Sequence, residues 1–346
     1  MDLSIVVVSW NTRELTLACL ASVEAERERL RGRLELELFL VENGSSDGSA
    51  EAVREGFAWV SLLVQPRNLG FAAGCNLGLA RARGRHLLLL NSDAALLPGA
   101  LELALDYLDA HPEVGLLGPR LVGPDGQLQN SAHAYPSLLS ELVPLPLLQL
   151  LRPQRYPSRR RPASRPAEVD AVRGAALFAS GRALRRIGPL SEEFFFFLEE
   201  TDWCWRARQA GFRVVHLPQA AVVHVSGASS KRKHPARTRI EYHRSLYRFL
   251  LKYRGLTPAV AVFAARVAKL LLYSAAAACL APLSRRFRLR LAEHLQVLLW
   301  HLRGCPEAVG LRSLDAAPAP PAAPVGAQLA AAPVPLAAPA QRDAAG

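Results

Sequence analysis

The feature that most constrains the fold is the alternation of strand-like and helix-like segments through roughly the first 120 residues. It begins with residues 3–9 (LSIVVVS), a β-branched run typical of strands buried on both faces. Strands are predicted at residues 3–9, 35–41, 60–64 and 86–90, and helices at residues 13–30, 49–56, 68–78 and 98–111. This order predicts an α/β fold with a mostly parallel sheet flanked by helices.

Polar residues follow each of the four predicted strands. Asn11 comes just after the first strand and Glu42 just after the second, while Asn68 and Asp93 follow the third and fourth. Ligands bind at the carboxyl edge of such a sheet, where these positions converge. Asn, Asp and Ser are also common in ordinary turns, so one such loop would be uninformative. Four in succession favour a site of nucleotide size.

The charge balance narrows the class of partner. The chain carries 42 Lys+Arg against 30 Asp+Glu, a net charge of +12, which favours a phosphate, a nucleotide or an acidic membrane surface. It shows no helix-turn-helix, zinc-finger or RNA-binding signature, so we expect no nucleic acid partner. The five cysteines are scattered without a CxxC pair, and no signal peptide is evident. We therefore expect a cytoplasmic location.

The pattern changes between residues 131 and 168, which are rich in proline and contain six arginines. Such a segment is typical of a surface insertion, either a solvated charge run or a flap that meets phosphates or anionic lipid. Beyond it we predict a strand over 170–179 with a close-approach glycine at Gly174, a helix over 199–209, and a strand over 213–223 that ends at His224.

Three helices are predicted in the C-terminal region, at residues 245–253, 259–283 and 285–303. The second is long enough to span a bilayer, but Arg266 and Lys269 interrupt it. A helix lying in the membrane interface therefore fits better, with a soluble helical bundle as the alternative. We expect a peripheral protein at the inner face of the cell membrane, although a spanning C-terminal helix stays open.

Four aromatic residues run directly into a cluster of acids in residues 194–206 (FFFFLEETDWCWR). The acids are Glu199, Glu200 and Asp202, and carboxylates this crowded raise one another's pKa unless a cation, a metal or a proton accompanies them. Acids also favour the N-terminus of a helix through its dipole, which is the structural alternative. The apolar run before them favours the wall of a catalytic cleft.

A metal site is predicted from two strand ends. Asp93 follows Asn91 by two residues, and a lone carboxylate there binds a metal weakly. Diphosphate oxygens and waters would complete an octahedron around Mg²⁺ or Mn²⁺. His224 is a candidate for a further ligand, and an imidazole would tilt the choice toward Mn²⁺. The prediction depends on this combination, since each residue alone is more often structural.

Taken in order, these motifs resemble an inverting glycosyltransferase of family 2, and most of all its rhamnosyltransferase-like bacterial branch. The motifs are residues 6–11 (VVVSWN), 41–49 (VENGSSDGS), 67–78 (RNLGFAAGCNLG), 87–93 (LLLLNSD), 197–206 (FLEETDWCWR) and His224. The resemblance spans roughly residues 3–230 and implies a GT-A fold. It also implies a nucleotide-diphosphate sugar as donor, such as dTDP-rhamnose or a UDP-sugar, and a lipid-linked or growing glycan as acceptor.

The resemblance assigns roles to individual residues. Those on the nucleotide-sugar side are Ser9, Asn11, Glu42, Asp47, Arg67, Asn68, Gly70, Phe71, Asn76 and Asn91. Asp93 and His224 would hold Mn²⁺ or Mg²⁺, and Gly174 and Arg206 lie on the acceptor side. Glu42 stands where the family usually has Asp, which leaves the base specificity open.

The acidic cluster gains a role from the same resemblance. The family usually has Glu-Asp there, and the Asp removes the proton of the acceptor hydroxyl as general base. Glu200 occupies that place, and its extra methylene displaces the carboxylate by about one bond length, so Glu199 is a close rival. Asp202 is expected to orient Arg206 or an acceptor hydroxyl.

The expected organisation has three parts. They are a GT-A domain at 1–240 (nucleotide-binding half 1–120, insertion 131–168, acceptor half 169–240), a membrane-associating helical region at 241–304, and a disordered Ala/Pro-rich tail at 305–346. A nucleotidyltransferase is disfavoured because residues 9–13 (SWNTR) lack the glycine-rich loop that grips a triphosphate. A non-catalytic, membrane-associated glycan-binding subunit is the remaining alternative.

Overall fold

The computed structural model describes residues 1–160, 162–225 and 234–316, with side chains described to residue 314. The Ala/Pro-rich sequence from residue 317 onward lies outside the described residues. Residues 305–316, which the sequence assigns to that tail, instead end in a 3-10 helix, Leu311–Ala316, and Leu311 is buried. The tail therefore does not begin at residue 305.

The first half of the chain forms parallel strands joined by helices. Its elements are β1 Leu3–Ser9, α1 Arg13–Arg29, β2 Leu36–Glu42, α2 Ser49–Gly56, β3 Ser61–Val64, α3 Phe71–Leu79, β4 His86–Asn91, β5 Ala94–Leu96 and α4 Ala100–Ala110. Strands β3, β2, β1 and β4 pair in that order, all parallel, as predicted. Helix α3 begins at Phe71 because Gly70, with φ of 90°, lies outside the helical region.

The second half extends the same sheet. Its elements are β6 Val114–Val122, β7 Ala132–His133, α5 Leu138–Leu142, α6 Leu145–Leu151, β8 Ala167–Glu168, β9 Ala171–Val172, β10 Ala176–Ser180, α7 Gly181–Ile187, α8 Glu199–Gln209 and β11 Arg213–His224. Within the described residues the strand order is β3-β2-β1-β4-β10-β6-β11-β5, with β8 beside β11.

The complete sheet is mixed, which differs from the mostly parallel sheet expected. Strand β10 runs antiparallel to both of its neighbours, β4 and β6. It follows the insertion and not a crossover helix, and a parallel pairing requires such a crossover. The parallel pattern is therefore confined to the first four strands and to the pair β6–β11.

The insertion is more ordered than a mobile loop. It contains helices α5 and α6, and β7 pairs with β9 in a small second sheet. The single strand predicted over 170–179 is wrong, because the chain divides there into β9 and β10. Gly174 lies between these two strands, where it can approach the site described below.

Apolar side chains form a layer on each face of the main sheet. Strand β1 shows how one strand serves both layers: Ile5 and Val7 pack into one cluster, and Val6 and Val8 into the other. The second cluster also contains Trp203 of α8. Burial on both faces explains why β1 is a continuous apolar run.

The C-terminal region is continuous with this core. It consists of α9 Pro235–Arg254, α10 Leu256–Leu280, a 3-10 turn Ala281–Leu283 and α11 Arg285–Leu302. Helix α9 buries Leu246, Phe249 and Leu250 in the same cluster as Trp203. The packing therefore shows no break near residue 240, where the sequence places a domain boundary.

Helix α10 differs from α9 in its surroundings. Among the described residues, Leu256–Leu283 is the one helical stretch long and apolar enough to cross a membrane. Only 22% of its most apolar window is buried in the structure, and Leu271 and Leu272 are exposed. A helix of this kind presents apolar surface that the fold itself does not cover.

Candidate active site

A cleft of about 710 Å³ opens at the carboxyl edge of the central strands. Predicted site residues that line it are Phe71, Asn91, Asp93, Gly174, Glu199, Glu200 and His224. They come from five separate stretches of sequence, which the sheet brings together. Clefts of this size suit small-molecule ligands.

Asp93 and His224 form the first pair of functional groups in the cleft. His224 ends β11, and its Nε2 lies 3.4 Å from Oδ1 of Asp93. The Nδ1 of His224 lies 3.0 Å from Oε1 of Gln129, and Gln129 also donates to the His224 carbonyl at 2.7 Å. Since an amide oxygen only accepts, Nδ1 of His224 is the donor to Gln129, and Nε2 is the ring nitrogen that faces Asp93.

The available ligand atoms are one carboxylate and one imidazole nitrogen. This set fits a hard or borderline divalent cation. Gln129 supplies the outer hydrogen bond that orients metal-binding histidines. No group of three or more His, Cys, Asp or Glu side chains in the described parts of the chain is placed to hold a metal. The protein would thus supply two ligands, which leaves positions for diphosphate oxygens and water.

Glu199 and Glu200 are the second pair, and the backbone before them is strained. Phe197 and Leu198 have φ of 72° and 65°, although neither is glycine. Helix α8 begins immediately after this bend, so both carboxylates stand on its first turn. Left-handed residues of this kind are costly and cluster at functional sites. The bend directs the start of α8 into the cleft.

The two glutamates differ in their electrostatic surroundings. Burial, with the charges of Glu200 and Asp202 beside it, raises the pKa of Glu199 well above its usual range. Burial also raises the pKa of Glu200, but the Arg173 guanidinium and backbone N–H groups at the helix start oppose that rise. The pKa of Glu199 is therefore raised more than that of Glu200, so Glu200 is the one that ionises first.

Glu200 is placed to accept a proton from a ligand. Its Oε2 is buried and has no hydrogen-bond partner within the described residues. Gly174 packs against the same side chain, since a Cβ added at Gly174 would lie 3.5 Å from Cβ and Cγ of Glu200. The glycine predicted on the acceptor side thus borders the carboxylate.

A smaller pocket of about 70 Å³ adjoins the cleft. Asn68, Gly70 and Phe71 line it, together with Trp10 and Asn43. Asn43 shapes this loop: its Nδ2 donates to Asn68 Oδ1 at 2.9 Å, and its Oδ1 accepts from the backbone N–H of Leu69 at 2.9 Å. The loop after β3 is therefore held open by side-chain amides.

Other residues predicted on the nucleotide side hold the neighbouring loops. Asp47 accepts from the backbone N–H of Arg13 at 2.9 Å, and Asn11 accepts from that of Ser46 at 3.0 Å. Glu42 is buried, accepts from Ser45 N–H at 2.7 Å, and has its pKa raised by burial. These contacts join the loops after β1 and β2 into one wall.

Several predicted site residues do not line either cavity. Ser9 is fully buried among hydroxyls, and Arg67 is exposed beside Asn68. The side chain of Asn76 joins α3 to Leu190. Its Oδ1 accepts from the Leu190 N–H at 3.0 Å, and its Nδ2 donates to the Leu190 carbonyl at 2.9 Å. Their placement points to roles in supporting the loops.

Asp202 and Arg206 also lie away from the cleft. Asp202 is completely buried and accepts from Arg206 and Lys252, each at 2.8 Å, and from Tyr253 at 2.6 Å. Arg206 donates in addition to the carbonyls of Ile187 and Pro189. These contacts join α8 to α9. Asp202 thus orients Arg206, which was one of the two expected roles, and Arg206, predicted on the acceptor side, does not line the cleft.

Three polar residues of the cleft and the smaller pocket were not among the predicted site residues. Arg173 directly precedes Gly174, so its charge beside a close-approach glycine was a usable signal. Asn43 follows Glu42 in a motif that was already singled out. Gln129 lies in a stretch without any local pattern, and only the structure shows its pairing with His224.

Comparison with known proteins decides the family. Residues 4–175 match the family model for glycosyl transferase family 2. The chain belongs to glycosyltransferase family 2. The prediction of an enzyme is thereby confirmed, and the nucleotidyltransferase and non-catalytic alternatives are set aside.

Two curated relatives of this glycosyltransferase come from Mycobacterium tuberculosis. It is 28% identical over 268 residues to an N-acetylglucosaminyl-diphospho-decaprenol L-rhamnosyltransferase, a match that covers 72% of this chain and 83% of that protein. It is 30% identical over 166 residues to a pre-mycofactocin glycosyltransferase, covering 48% of this chain and 32% of that protein. The rhamnosyltransferase-like character predicted from the motifs is confirmed at this level.

Two solved structures share the fold. S. aureus TarS has a TM-score of 0.50 at 16% identity, over 73% of the glycosyltransferase and 39% of the TarS chain. GalNAc-T7 with UDP, GalNAc and Mn²⁺ has a TM-score of 0.53 at 15% identity, over 72% of the glycosyltransferase and 47% of the GalNAc-T7 chain. The glycosyltransferase thus spans less than half of either chain. The predicted GT-A fold is confirmed.

Proposed function

We propose that this glycosyltransferase is a metal-assisted, inverting enzyme. It would transfer a sugar, with rhamnose as the leading candidate, from a nucleotide-diphosphate donor to a lipid-linked or growing surface-polysaccharide acceptor. The observation that carries the proposal is the presence, in one cleft, of the pair Asp93–His224 and the pair Glu199–Glu200. One pair suits the leaving diphosphate, and the other suits the attacking hydroxyl.

Asp93 and His224 are the proposed protein ligands of Mn²⁺ or Mg²⁺. Two ligands that bind one ion at about 2.1 Å from neighbouring positions are about 3 Å apart, and the observed 3.4 Å is near this value. A bound ion would stabilise the negative charge that develops on the leaving diphosphate. The structure of GalNAc-T7, which shares the fold, contains UDP and Mn²⁺. This supports the proposal at the level of the fold.

Glu200 is the proposed general base. The acceptor hydroxyl oxygen bonds to the anomeric carbon while the bond from that carbon to the diphosphate oxygen breaks. The hydroxyl proton passes to the free Oε2 of Glu200, and the nucleoside diphosphate leaves with the bonding electron pair. One in-line displacement of this kind inverts the anomeric configuration. Glu199, neutral beside it, would donate a hydrogen bond to the acceptor.

The acceptor side of the cleft favours an anionic, lipid-linked substrate. Arg173 and Arg159 line the cleft on this side, and guanidinium groups bind phosphate oxygens well. The name of the M. tuberculosis relative describes a diphosphate-linked polyprenol acceptor. A phosphate-bearing lipid acceptor would explain why the insertion brings an arginine to the site.

A membrane surface is the proposed location of the reaction. Helices α6, α10 and α11 expose leucines that the fold does not cover, among them Leu151, Leu272 and Leu302. Arg286 and Arg290 are exposed on α11. Exposed apolar side chains near cations are typical of helices that bind anionic membranes peripherally.

The chemistry is tested by incubating the protein with dTDP-rhamnose or UDP-sugars, a polyprenyl-diphosphate-linked glycan and Mn²⁺. We expect transfer that EDTA abolishes, with inverted anomeric configuration in the NMR spectrum of the product. Asp93→Asn should weaken Mn²⁺-dependent donor binding, whereas Asp125→Asn, a change at an exposed turn, should not. Absence of donor turnover with every sugar nucleotide, or retained Mn²⁺ dependence in Asp93→Asn, would contradict the proposal.

The membrane location is tested by sedimentation with phosphatidylglycerol vesicles. Leu272→Asp places a charge on an exposed side chain of α10 and should reduce the bound fraction several-fold. Leu103→Asp, at another exposed leucine, on α4, is the control and should leave binding unchanged. Equal losses in both variants would show that α10 is not the membrane-binding element.

A further inference from the structure

We infer that Leu311, which residues 305–316 hold in place, completes the wall of the donor-nucleotide pocket and contacts the bound nucleoside. Leu311 lines the small pocket together with Asn68, Gly70 and Phe71, although it lies more than 200 residues away in sequence. The inference rests on the proposed function, because it assigns this pocket to the nucleoside of the donor.

Residues 305–316 are anchored to α9 by hydrogen bonds and an ion pair. Arg244 is buried and donates through Nη2 to the carbonyl of Pro306 at 3.1 Å and to that of Val309. Arg248 pairs with Glu307. Four residues beyond that glutamate, the 3-10 helix presents Leu311, of which only 3% is exposed. Charged contacts on a core helix therefore fix where this leucine lies.

The segment also packs on the loop that shapes the pocket. The guanidinium of Arg312 lies 5.1 Å from the ring centre of Phe195. The Phe195 carbonyl accepts from Phe71 N–H at 2.7 Å, and a Cβ at Gly70 would lie 2.6 Å from the Phe195 ring. The C-terminal segment, Phe195 and the glycine-rich loop are thus stacked in one continuous contact. Movement of the segment would be transmitted to the pocket.

The chemistry of this wall suits a base or ribose face. Leucine has no donor or acceptor, so it offers contact area to an apolar ring and nothing to a diphosphate. The pocket of about 70 Å³ adjoins the larger cleft and shares Phe71 with it, so Leu311 would contact one face of the nucleoside while the rest of the donor lies in the cleft.

The test is calorimetric titration of the full chain with dTDP and with UDP in the presence of Mn²⁺. Leu311→Ala should raise the Kd for the preferred nucleotide roughly fivefold to thirtyfold, because apolar contact with the ring is lost. Leu311→Trp fills the pocket and should raise the Kd at least as much. Val309→Ala, in the same segment with an exposed side chain, is the control and should bind like the wild type.

Thermal unfolding of each variant separates lost binding from lost structure. If the wild type binds neither nucleotide, the proposed function fails. If the wild type binds a nucleotide and both Leu311 variants bind it equally well, the proposed function stands, but the contact between Leu311 and the nucleoside is refuted. Tighter binding by Leu311→Ala would also overturn the inference, since the leucine would then occupy the place of the nucleoside.

Discussion

Replacing Glu200 by glutamine removes the proposed base while keeping the shape of the side chain. Glu200 has a buried, unpartnered Oε2 in the cleft, so nothing else among the described residues depends on its charge through a hydrogen bond there. The proposed donor-binding groups are Asp93 and the loop after β3, so donor binding should be unchanged. We therefore expect kcat to fall while the Kd for the donor nucleotide stays within about twofold of the wild-type value.

General base catalysis contributes about 10²–10⁴ in rate, which corresponds to about 2.7–5.4 kcal/mol of activation free energy at 1.36 kcal/mol per factor of ten. Glu199→Gln is the matched control. Burial raises the pKa of Glu199 well above its usual range, and an amide resembles a protonated acid, so kcat should fall less than tenfold.

The pH dependence provides a second measurement of the same assignment. The base must be ionised, so kcat should fall as the pH drops through the pKa of Glu200, which burial places above its ordinary value. Arg173→Gln removes a positive charge beside that carboxylate, which raises its pKa further. The acid limb of the rate profile should therefore move to higher pH in this variant.

The assay is single-turnover transfer measured across this pH range for the wild type and the three variants. A larger loss in Glu199→Gln than in Glu200→Gln would assign the base to Glu199. An acid limb that moves to lower pH in Arg173→Gln would refute the electrostatic reasoning. A loss of donor affinity in Glu200→Gln would show that this residue binds the donor.

Three further changes test the surroundings of the site. Gln129→Ala removes the hydrogen bonds that orient the metal-side histidine and should lower Mn²⁺ affinity about 10-fold to 100-fold, measured by calorimetry. Gly70→Ala should cost roughly 3 kcal/mol or more of unfolding free energy in urea, because φ is 90° and the new Cβ meets a phenylalanine at 2.6 Å. Asp202→Asn should cost about 3 kcal/mol, because the partly buried Arg206 and Lys252 lose the charge of a fully buried carboxylate.

Each of these changes has a control within the chain. Gln127→Ala alters an exposed turn and should leave Mn²⁺ affinity intact. Gly32→Ala shares a positive φ of 76° but meets nothing within 4 Å, so it should cost less than the change at Gly70. Glu193→Gln removes an exposed partner of Lys252 and should cost under about 1 kcal/mol. Equal effects in a pair would contradict the argument for that pair.

Acid should weaken the fold through the Asp202 cluster. Burial alone would raise the pKa of Asp202, but hydrogen bonds from Lys252 and Tyr253 and the charge of Arg206 outweigh it and hold the pKa below its ordinary value. The contribution of Asp202 to stability is therefore present above its unfolded pKa and is lost as the pH falls through the folded one.

The parallel half of the fold was predictable because its signals are local. Strand β1 is a continuous apolar run, and polar residues mark where the strands end. Asp93, Glu200 and His224 were found in the same way, as chemically active side chains at the ends of elements. The direction of β10 had no such signal, because strand direction depends on how the chain returns from the insertion.

Pairings between distant residues lay beyond sequence reasoning. Asp202 and Arg206 have the spacing of neighbours on a helix, which was visible, but their burial against Lys252 depends on how α9 packs. The same holds for Gln129 with His224 and for Leu311 at the pocket. Residue type identified the chemistry, while three-dimensional packing decided which groups serve the site.

The attachment of α9 to α8 through Asp202 limits how such enzymes can be recombined. A chimera that exchanges the C-terminal region near residue 240 would separate Asp202 from Lys252 and Tyr253, and Phe196 from the hydroxyl of Ser245. A junction at Gly255, which separates α9 from α10 with φ of 88°, leaves those contacts whole. The interchangeable part of this architecture thus lies between Gly255 and residue 304, because residues 305–316 contact Arg244 and Arg248 of α9 and must be kept with them.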